Sequence, residues 1–295
     1  MCDKPSRCFF YIHAPKIPRT KRNTMDYKNY IQLTLAQGVQ FSIGKAIKDG
    51  FSYLGKSAGS YVGFTLVAIF IIIAAALFSM FIPFIGNLAL SILVIPALMM
   101  GFAIYARKGD MNEQAQFEDF FDGFKRNYSQ LILANLVIQL ISTLMSLLFL
   151  TPLIAELAPL FTTMLENIQN PEDVAGIGEE LIAVMLSNWW SVALAIVVSI
   201  VIQVLYLLAN YFVVFYGFGF WEAMETSRQL MSKVFIKTIV LNIIVGFIMF
   251  IGIIATLGIG LLFLFPVSVL INFSVFNQVA GFAEGEVSLE DDLII

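Results

Sequence analysis

The chain has 295 residues, of which 59% are hydrophobic and 13% are charged, and its mean hydropathy is +0.85. A soluble domain carries about 25% charged residues, so this chain cannot cover a water-facing surface. The composition therefore excludes a soluble enzyme, a nucleic-acid binder, a disordered chain and a disulfide-rich secreted domain. The net charge of -4 conceals a segregation of basic and acidic residues along the chain.

Residues 1–24 are predicted to form a basic, disordered tail. They hold six lysines and arginines against one acid, Asp3, and their longest apolar run is too short for a signal peptide. Met25 opens a different composition, so we expect it to be the physiological start and the tail to be a non-native extension. Both cysteines and the single histidine lie in this tail, at Cys2, Cys8 and His13.

Long charge-free stretches divide the rest of the chain into membrane spans. No charged residue occurs in 57–106, 127–155, 181–221 or 238–283. A helix crosses the hydrocarbon core in about 20 residues, so the first and last of these stretches each hold two spans. The predicted spans are 61–82, 88–106, 130–150, 190–213, 237–256 and 261–281.

Proline and glycine positions predict where these spans end. Pro83–Asn87 is expected to form the turn between the first two spans, and Thr151-Pro152 to stop the third. Thr256–Gly260 is expected to separate the last two. Pro96 lies inside the second span and should kink it, because proline lacks the N–H that continues a helix.

The basic residues predict the orientation of the spans. All 17 lysines and arginines fall in three stretches, 4–56, 107–126 and 228–237. Six spans put these stretches on one side of the membrane, which the positive-inside rule makes cytoplasmic. Both termini, including the acidic tail 283–295, are then cytoplasmic, and the acidic loop 151–188 is extracytoplasmic. We therefore predict a single six-span domain at 25–282 in a bacterial inner membrane.

An amphipathic segment precedes each predicted pair of spans. The second of these segments places five aromatic residues on one helical face, Phe117, Phe120, Phe121, Phe124 and Tyr128. The small residues Gly50, Gly123 and Ser227 occupy matching places in the three segments. Each segment either braces the next pair of spans or offers a docking surface to lipid head groups or a partner.

The predicted fold is an all-α, polytopic membrane bundle. Its six transmembrane helices form three hairpins, each preceded by an amphipathic interfacial helix. The corresponding repeat units are about 41–106, 117–215 and 220–281.

The third unit carries a set of short motifs, namely Trp221-Glu222-Ala223-Met224, Ser227, Lys233, Gly258, Gly260 and Pro266. On these motifs the chain resembles a poorly characterised family of six-helix bacterial integral membrane proteins, over about 41–282. It is also similar to the membrane domain that accompanies some glycerophosphodiester phosphodiesterases. The resemblance implies no catalytic residues, because the phosphodiesterase active site belongs to a separate soluble domain.

The centres of the predicted spans contain no Asp, Glu, Lys, Arg or His. Such residues cost about 2.5–3.5 kcal/mol each at a helix centre and are retained for proton or ion pathways. Their absence argues against a proton-coupled transporter, a pump or a voltage sensor. We expect no catalytic residue, no cofactor and no metal site.

Neutral polar residues form one stripe on each of the third and fourth spans, with spacings of 4, 3 and 4. We call the two stripes together the polar seam. It is either a set of interhelical hydrogen bonds, which are common in membrane bundles, or a narrow hydrophilic path or lipid-headgroup site. Antiparallel spans pair Asn135 with Asn210, Gln139 with Tyr206, Ser142 with Gln203 and Ser146 with Ser199.

The sequence therefore predicts a multi-pass inner-membrane protein that is not an enzyme. The first hypothesis is a non-catalytic scaffold, a lipid-interacting factor or a subunit of an envelope complex. The alternative is a transporter or channel for a neutral or lipidic solute. The expected partners are the lipid bilayer and either another membrane protein or a second copy of this chain, but no nucleic acid.

Overall fold

The computed structural model describes residues 31–32, 34–36, 38–111, 113–166 and 171–280. This part of the chain is helical and contains no strand, and six of its helices are long and apolar enough to cross a membrane. The predicted all-α, six-span class is thus confirmed. The grouping into three hairpins and three repeat units stays a prediction. The predictions for the tail 1–24, for Met25 and for the tail 283–295 concern residues outside the described ranges.

The helices are numbered in chain order. The first half contains α1 (Ile43–Lys56), α2 (Ala58–Ser79), α3 (Pro83–Ala89), a π-helical segment (Leu90–Val94), α4 (Ile95–Asp110) and a 3₁₀ helix (Phe117–Phe124). The second half contains α5 (Tyr128–Glu166), α6 (Pro171–Ser187), α7 (Trp189–Leu205), α8 (Ala209–Tyr216), α9 (Phe220–Lys233), α10 (Phe235–Ala255) and α11 (Leu261–Ala280).

Two of the boundaries that proline was expected to set differ from the prediction. Pro83 begins α3 instead of forming the turn, because the first N–H groups of a helix lack a helical partner in any case. Helix α5 is not stopped at Thr151-Pro152 but continues through Pro152 and Pro159 to Glu166. The carbonyl of Leu148, which Pro152 leaves without its usual donor, accepts a hydrogen bond from Thr151 Oγ1 at 2.5 Å.

The second span is irregular one turn before Pro96, as the missing proline N–H suggests. The N–H of Ile95 bonds to the carbonyl of Leu90, five residues earlier, at the end of the π-helical segment. A π turn of this kind is a common cause of bends in helices. The fourth span is also interrupted, because α7 ends at Leu205 and α8 begins at Ala209.

The spans divide into an inner and an outer set. We compared the buried share of the most apolar 18-residue window in each span. The share is 61% for Gly86–Asp110 and 56% for Leu261–Ala280, but only 11% for Tyr128–Leu165 and for Phe235–Ala255. Helix α8 is also mostly buried. The inner helices α4, α8 and α11 meet through aromatic rings, for example Tyr211 of α8 and Phe276 of α11 at 5.1 Å. The outer spans leave most of their surface to lipid.

Three short helices surround the inner spans at the end of the bundle that carries the lysines and arginines, which we call the basic end. We call α1, the 3₁₀ helix and α9 together the collar. Gly50 of α1 lies against α11, where an added Cβ would come 2.5 Å from Cγ1 of Ile271. Gly123 of the 3₁₀ helix lies against α4, where an added Cβ would overlap the carbonyl oxygen of Ala97. Only glycine permits these approaches.

Ser227 makes the corresponding contact for α9. Its hydroxyl donates to the carbonyl of Leu205 at 2.8 Å and accepts from the N–H of Leu208 at 3.1 Å. Both backbone groups lie at the break between α7 and α8. Each collar helix therefore places one small residue on a different inner span, and α1 links the beginning of the described chain to its last span.

The second collar segment is a 3₁₀ helix where the sequence predicted an amphipathic α-helix. A 3₁₀ helix has three residues per turn, so Phe117, Phe120 and Gly123 follow one line along it. Phe120 is fully buried, with its ring 4.2 Å from that of Tyr105 and 4.3 Å from that of Phe64. The apolar face of the segment thus packs into the bundle.

Candidate functional site

The polar seam lies between α5 and the fourth span, which α7 and α8 form. The structure brings both ends of the seam together. Asn135 Nδ2 donates to Asn210 Oδ1 at 3.0 Å, and the hydroxyls of Ser146 and Ser199 are 3.1 Å apart. These two pairs have the register that antiparallel spans require.

The middle of the seam is arranged differently. Gln139 donates to Thr143 Oγ1 on its own helix at 3.4 Å, so the structure does not pair it with Tyr206. Gln203 is likewise not bonded to Ser142 in the described chain. Both glutamines are exposed, whereas Ser142 and Tyr206 are half-buried. The seam is therefore two interhelical bonds with two outward-facing amides between them.

A second polar cluster joins α1 to the inner spans at the basic end. Tyr53 Oη donates to Asp110 Oδ2 at 2.6 Å, and Lys56 Nζ lies 3.2 Å from Asp110 Oδ1. Asn277 of α11 donates to Tyr53 Oη at 3.4 Å. Burial, followed by the hydrogen bond to Asp110, raises the pKa of Tyr53 above its ordinary value, so the tyrosine keeps its proton and remains a donor.

The same contact continues along α11. Ser274 Oγ donates to Asp49 Oδ2 at 2.7 Å, and Gln278 Nε2 donates to Ser274 Oγ at 3.2 Å. The side chain of Gln278 also accepts from the N–H of Ser42 at the start of α1. Each of these polar groups bonds to another part of the fold, so the cluster is suited to fixing α1 in place.

The opposite end of the bundle, which we call the acidic end, is extended by a helical arm. The arm consists of residues 151–166 of α5 together with α6. Helix α5 has 39 residues and is therefore about 58 Å long, roughly twice the hydrocarbon thickness. Glu156 Oε2 accepts from Asn188 Nδ2 at 2.7 Å, which ties the base of the arm to the start of α7.

Sequence reasoning did not find the cluster around Tyr53 or the arm. Asp49 and Ser274 are 225 positions apart, and no short pattern marks such a contact. The arm left a clearer signal, because apolar residues continue at helical spacing beyond Pro152. The described residues contain no group of three or more His, Cys, Asp or Glu that could hold a metal ion.

Six helices that are long and apolar enough to span a membrane define a multi-pass helical membrane protein. No protein family, no curated protein and no solved structure matches this chain. The resemblance to the membrane domain of glycerophosphodiester phosphodiesterases therefore stays an expectation that rests on short motifs.

Proposed function

We propose that this membrane protein acts without catalysis, as a scaffold, a lipid-interacting factor or a subunit of an envelope complex. We place it in a bacterial inner membrane with its basic end and both termini on the cytoplasmic side, because all 17 lysines and arginines fall in three stretches that six spans bring to that side. The arm then extends on the extracytoplasmic side. Of the three roles, the surface of the arm favours a complex subunit.

The apolar surface of the arm is the observation that carries this proposal. Phe161 and Leu165 on α5 are 64% and 61% exposed, and Leu186 on α6 is 69% exposed. Within a span such residues would face lipid, but this part of α5 exceeds the length needed to cross the bilayer. Apolar patches outside the hydrocarbon mark surfaces that bind a protein or a membrane.

The interior of the bundle supports a role other than transport. Phe212 of α8 and Phe273 and Phe276 of α11 are fully buried where the inner spans meet. A path for ions or polar solutes needs a hydrated or polar lining. The close aromatic packing of these described residues, near the basic end of the inner spans, provides no such lining there.

The second candidate is a transporter or channel for a neutral or lipidic solute. It is favoured by one observation, the outward-facing amides of Gln139 and Gln203 in the polar seam. A lipidic solute could move along these outward-facing amides without entering the interior. Vesicles containing the purified protein would then move a labelled lipid between leaflets faster than protein-free vesicles, whereas a scaffold would not change the rate.

Site-specific photo-crosslinking tests the proposal. A benzophenone amino acid replaces Phe161 on the arm or, as a matched control, Phe247, which is 63% exposed on α10. In native membranes we expect position 161 to give one discrete protein adduct that mass spectrometry identifies. Position 247 should give lipid adducts only.

A second variant tests whether the apolar surface of the arm itself binds the partner protein. Leu165→Ser with Leu186→Ser should abolish the adduct at position 161 and leave the melting temperature unchanged. Lipid adducts alone at both positions would contradict a protein partner and would favour the lipid-interacting role.

A further inference from the structure

Two exposed amides lie near the middle of the bilayer. Gln139 is about 17 Å along the helix axis from the start of α5 at Tyr128, and Gln203 is about 20 Å from the end of α8 at Tyr216. Both ends lie on the basic side, and the hydrocarbon is about 30 Å thick. The two amides are therefore at similar depth, far from either layer of head groups.

The two amides also point to the same side of the contact between α5 and α7. The bonded pairs Asn135–Asn210 and Ser146–Ser199 define the line along which the helices face each other. At 3.6 residues per turn, Gln139 is rotated by roughly 40° from Asn135, and Gln203 by roughly 40° from Ser199. Because the helices are antiparallel, equal rotations along the two chains carry both side chains to one side.

Burial along α7 agrees with this geometry. Ala195 and Ile202 point to the other side of the contact and are buried, whereas Ile196 and Ile200 point to the side of the glutamines and are exposed. Helix α5 likewise exposes Thr143 and Leu147 there. We call this surface the amide face, which consists of Gln139, Thr143, Leu147, Ile196, Ile200 and Gln203.

Exposure of the amide face to lipid alone would cost free energy. Gln203 makes no hydrogen bond to the described part of the chain, and Gln139 uses only one of its N–H groups. Hydrocarbon offers no partner to the remaining donors and carbonyl oxygens, and an unsatisfied polar group there is costly. The face therefore requires an occupant that supplies hydrogen bonds at this depth between apolar contacts.

We propose that the amide face is the interface of a homodimer with its two-fold axis along the membrane normal. Rotation about that axis keeps every residue at its own depth, so the glutamines of one copy meet those of the other. A carboxamide carries both donor and acceptor groups and is complementary to itself. The exposed Ile196, Ile200 and Leu147 provide the packing around the amides, which is the usual composition of an interhelical contact in membranes.

This inference requires only the six-span structure and does not depend on the proposed function. The amide face lies within the spans, whereas the arm projects from the acidic end. Dimerisation and binding of a partner to the arm can therefore fail separately.

The first experiment measures self-association in lipid vesicles by single-molecule photobleaching of the full-length protein over a range of dilutions. We expect wild type to change from dimer to monomer on dilution. Gln139→Leu with Gln203→Leu should raise the dissociation constant about tenfold or more, because up to four interhelical contacts are lost. The matched control is Asn242→Leu, which removes an exposed amide about 10 Å along the axis from the start of α10 and therefore closer to the head groups than the two glutamines. It should leave the dissociation constant unchanged.

The second experiment locates the interface in a background that carries Cys2→Ser and Cys8→Ser. Ile196→Cys on the amide face should form a disulfide-linked dimer under mild oxidation. Ile243→Cys on α10, which is 66% exposed, should remain monomeric. A melting temperature equal to that of wild type establishes that each variant is folded.

Three results obtained with the purified protein would overturn the proposal. They are a wild type that is monomeric at every dilution, an unchanged dissociation constant in the folded double variant, and equal crosslinking at positions 196 and 243. Crosslinking of position 196 to a different protein would also overturn it and would assign the face to another chain's helix.

Discussion

The basic and acidic ends of this protein use similar apolar residues in opposite ways. At the basic end Phe120 is enclosed by other rings, and glycines bring the collar into contact with the inner spans. At the acidic end Phe161 and Leu165 project from the arm with most of their surface exposed. The fold is thus held together at one end, and the other end leaves an apolar surface exposed.

Polar side chains strengthen the basic end by completing the backbone hydrogen bonds of its turns. Asn127, which has a positive φ of 45°, donates to the carbonyl of Phe218 at 3.2 Å. Asparagine adopts this left-handed conformation more readily than most residues. Gln130 Oε1 accepts from the N–H of Phe220 at 3.0 Å, at the start of α9. Each contact joins the start of α5 to the loop between α8 and α9.

The largest difference between the two ends is expected when one phenylalanine at each end is replaced by alanine and the free energies of unfolding are compared. Phe120→Ala should lower the free energy of unfolding by about 3–5 kcal/mol, because it leaves a cavity among Tyr105, Phe64 and Phe102. Phe161→Ala should change it by less than about 0.5 kcal/mol, since the ring is already exposed. Unfolding of the purified proteins by denaturant in detergent micelles measures both. Equal losses would mean that the arm is part of the folded core.

The collar contact on α4 provides the second prediction. A Cβ on Gly101 would overlap the backbone carbonyl of Phe120, which cannot move as a side chain could. Gly101→Ala should therefore cost about 1–3 kcal/mol through overpacking. Gly109→Ala on the same helix has open space around it and should be neutral or slightly stabilising. Melting temperatures in detergent separate the two, and a neutral Gly101→Ala would show that the 3₁₀ helix is loosely held.

The contact of α9 depends on two hydrogen bonds instead of close backbone packing. Ser227→Ala leaves the N–H of Leu208 and the carbonyl of Leu205 buried without their partner, which costs about 1–3 kcal/mol. Ser232→Ala on the same helix removes an exposed hydroxyl that bonds only to the carbonyl of Gln229, and it should have no measurable effect. Equal melting temperatures for the two variants would remove Ser227 from the set of collar contacts.

The sequence predicted the six spans because the length of each uncharged stretch can be compared directly with the number of residues that cross the hydrocarbon core. It misplaced the end of α5 because Pro152 stops most helices, and the compensating bond from Thr151 is visible only in three dimensions. It predicted the contacts at both ends of the polar seam from spacing alone. The outward rotation of Gln139 and Gln203 depends on helix pitch over several turns and on which side of α7 is covered. The cluster of Tyr53, Asp110 and Asn277 joins three distant segments and had no local signal.

The smallest effects concern the seam, which crosses from the basic end to the acidic end. A double-mutant cycle with Asn135→Leu and Asn210→Leu should give a coupling of about 0.6–1.7 kcal/mol, the range for interhelical hydrogen bonds in membranes. The corresponding cycle with Ser146→Ala and Ser199→Ala should give less, because Ser199 Oγ also donates to the carbonyl of Ala195 at 2.9 Å and keeps that bond when Ser146 is removed. The couplings follow from unfolding free energies of single and double variants. A larger coupling for the serine pair than for the asparagine pair would contradict this prediction. The stronger contact of α5 would then lie toward the arm.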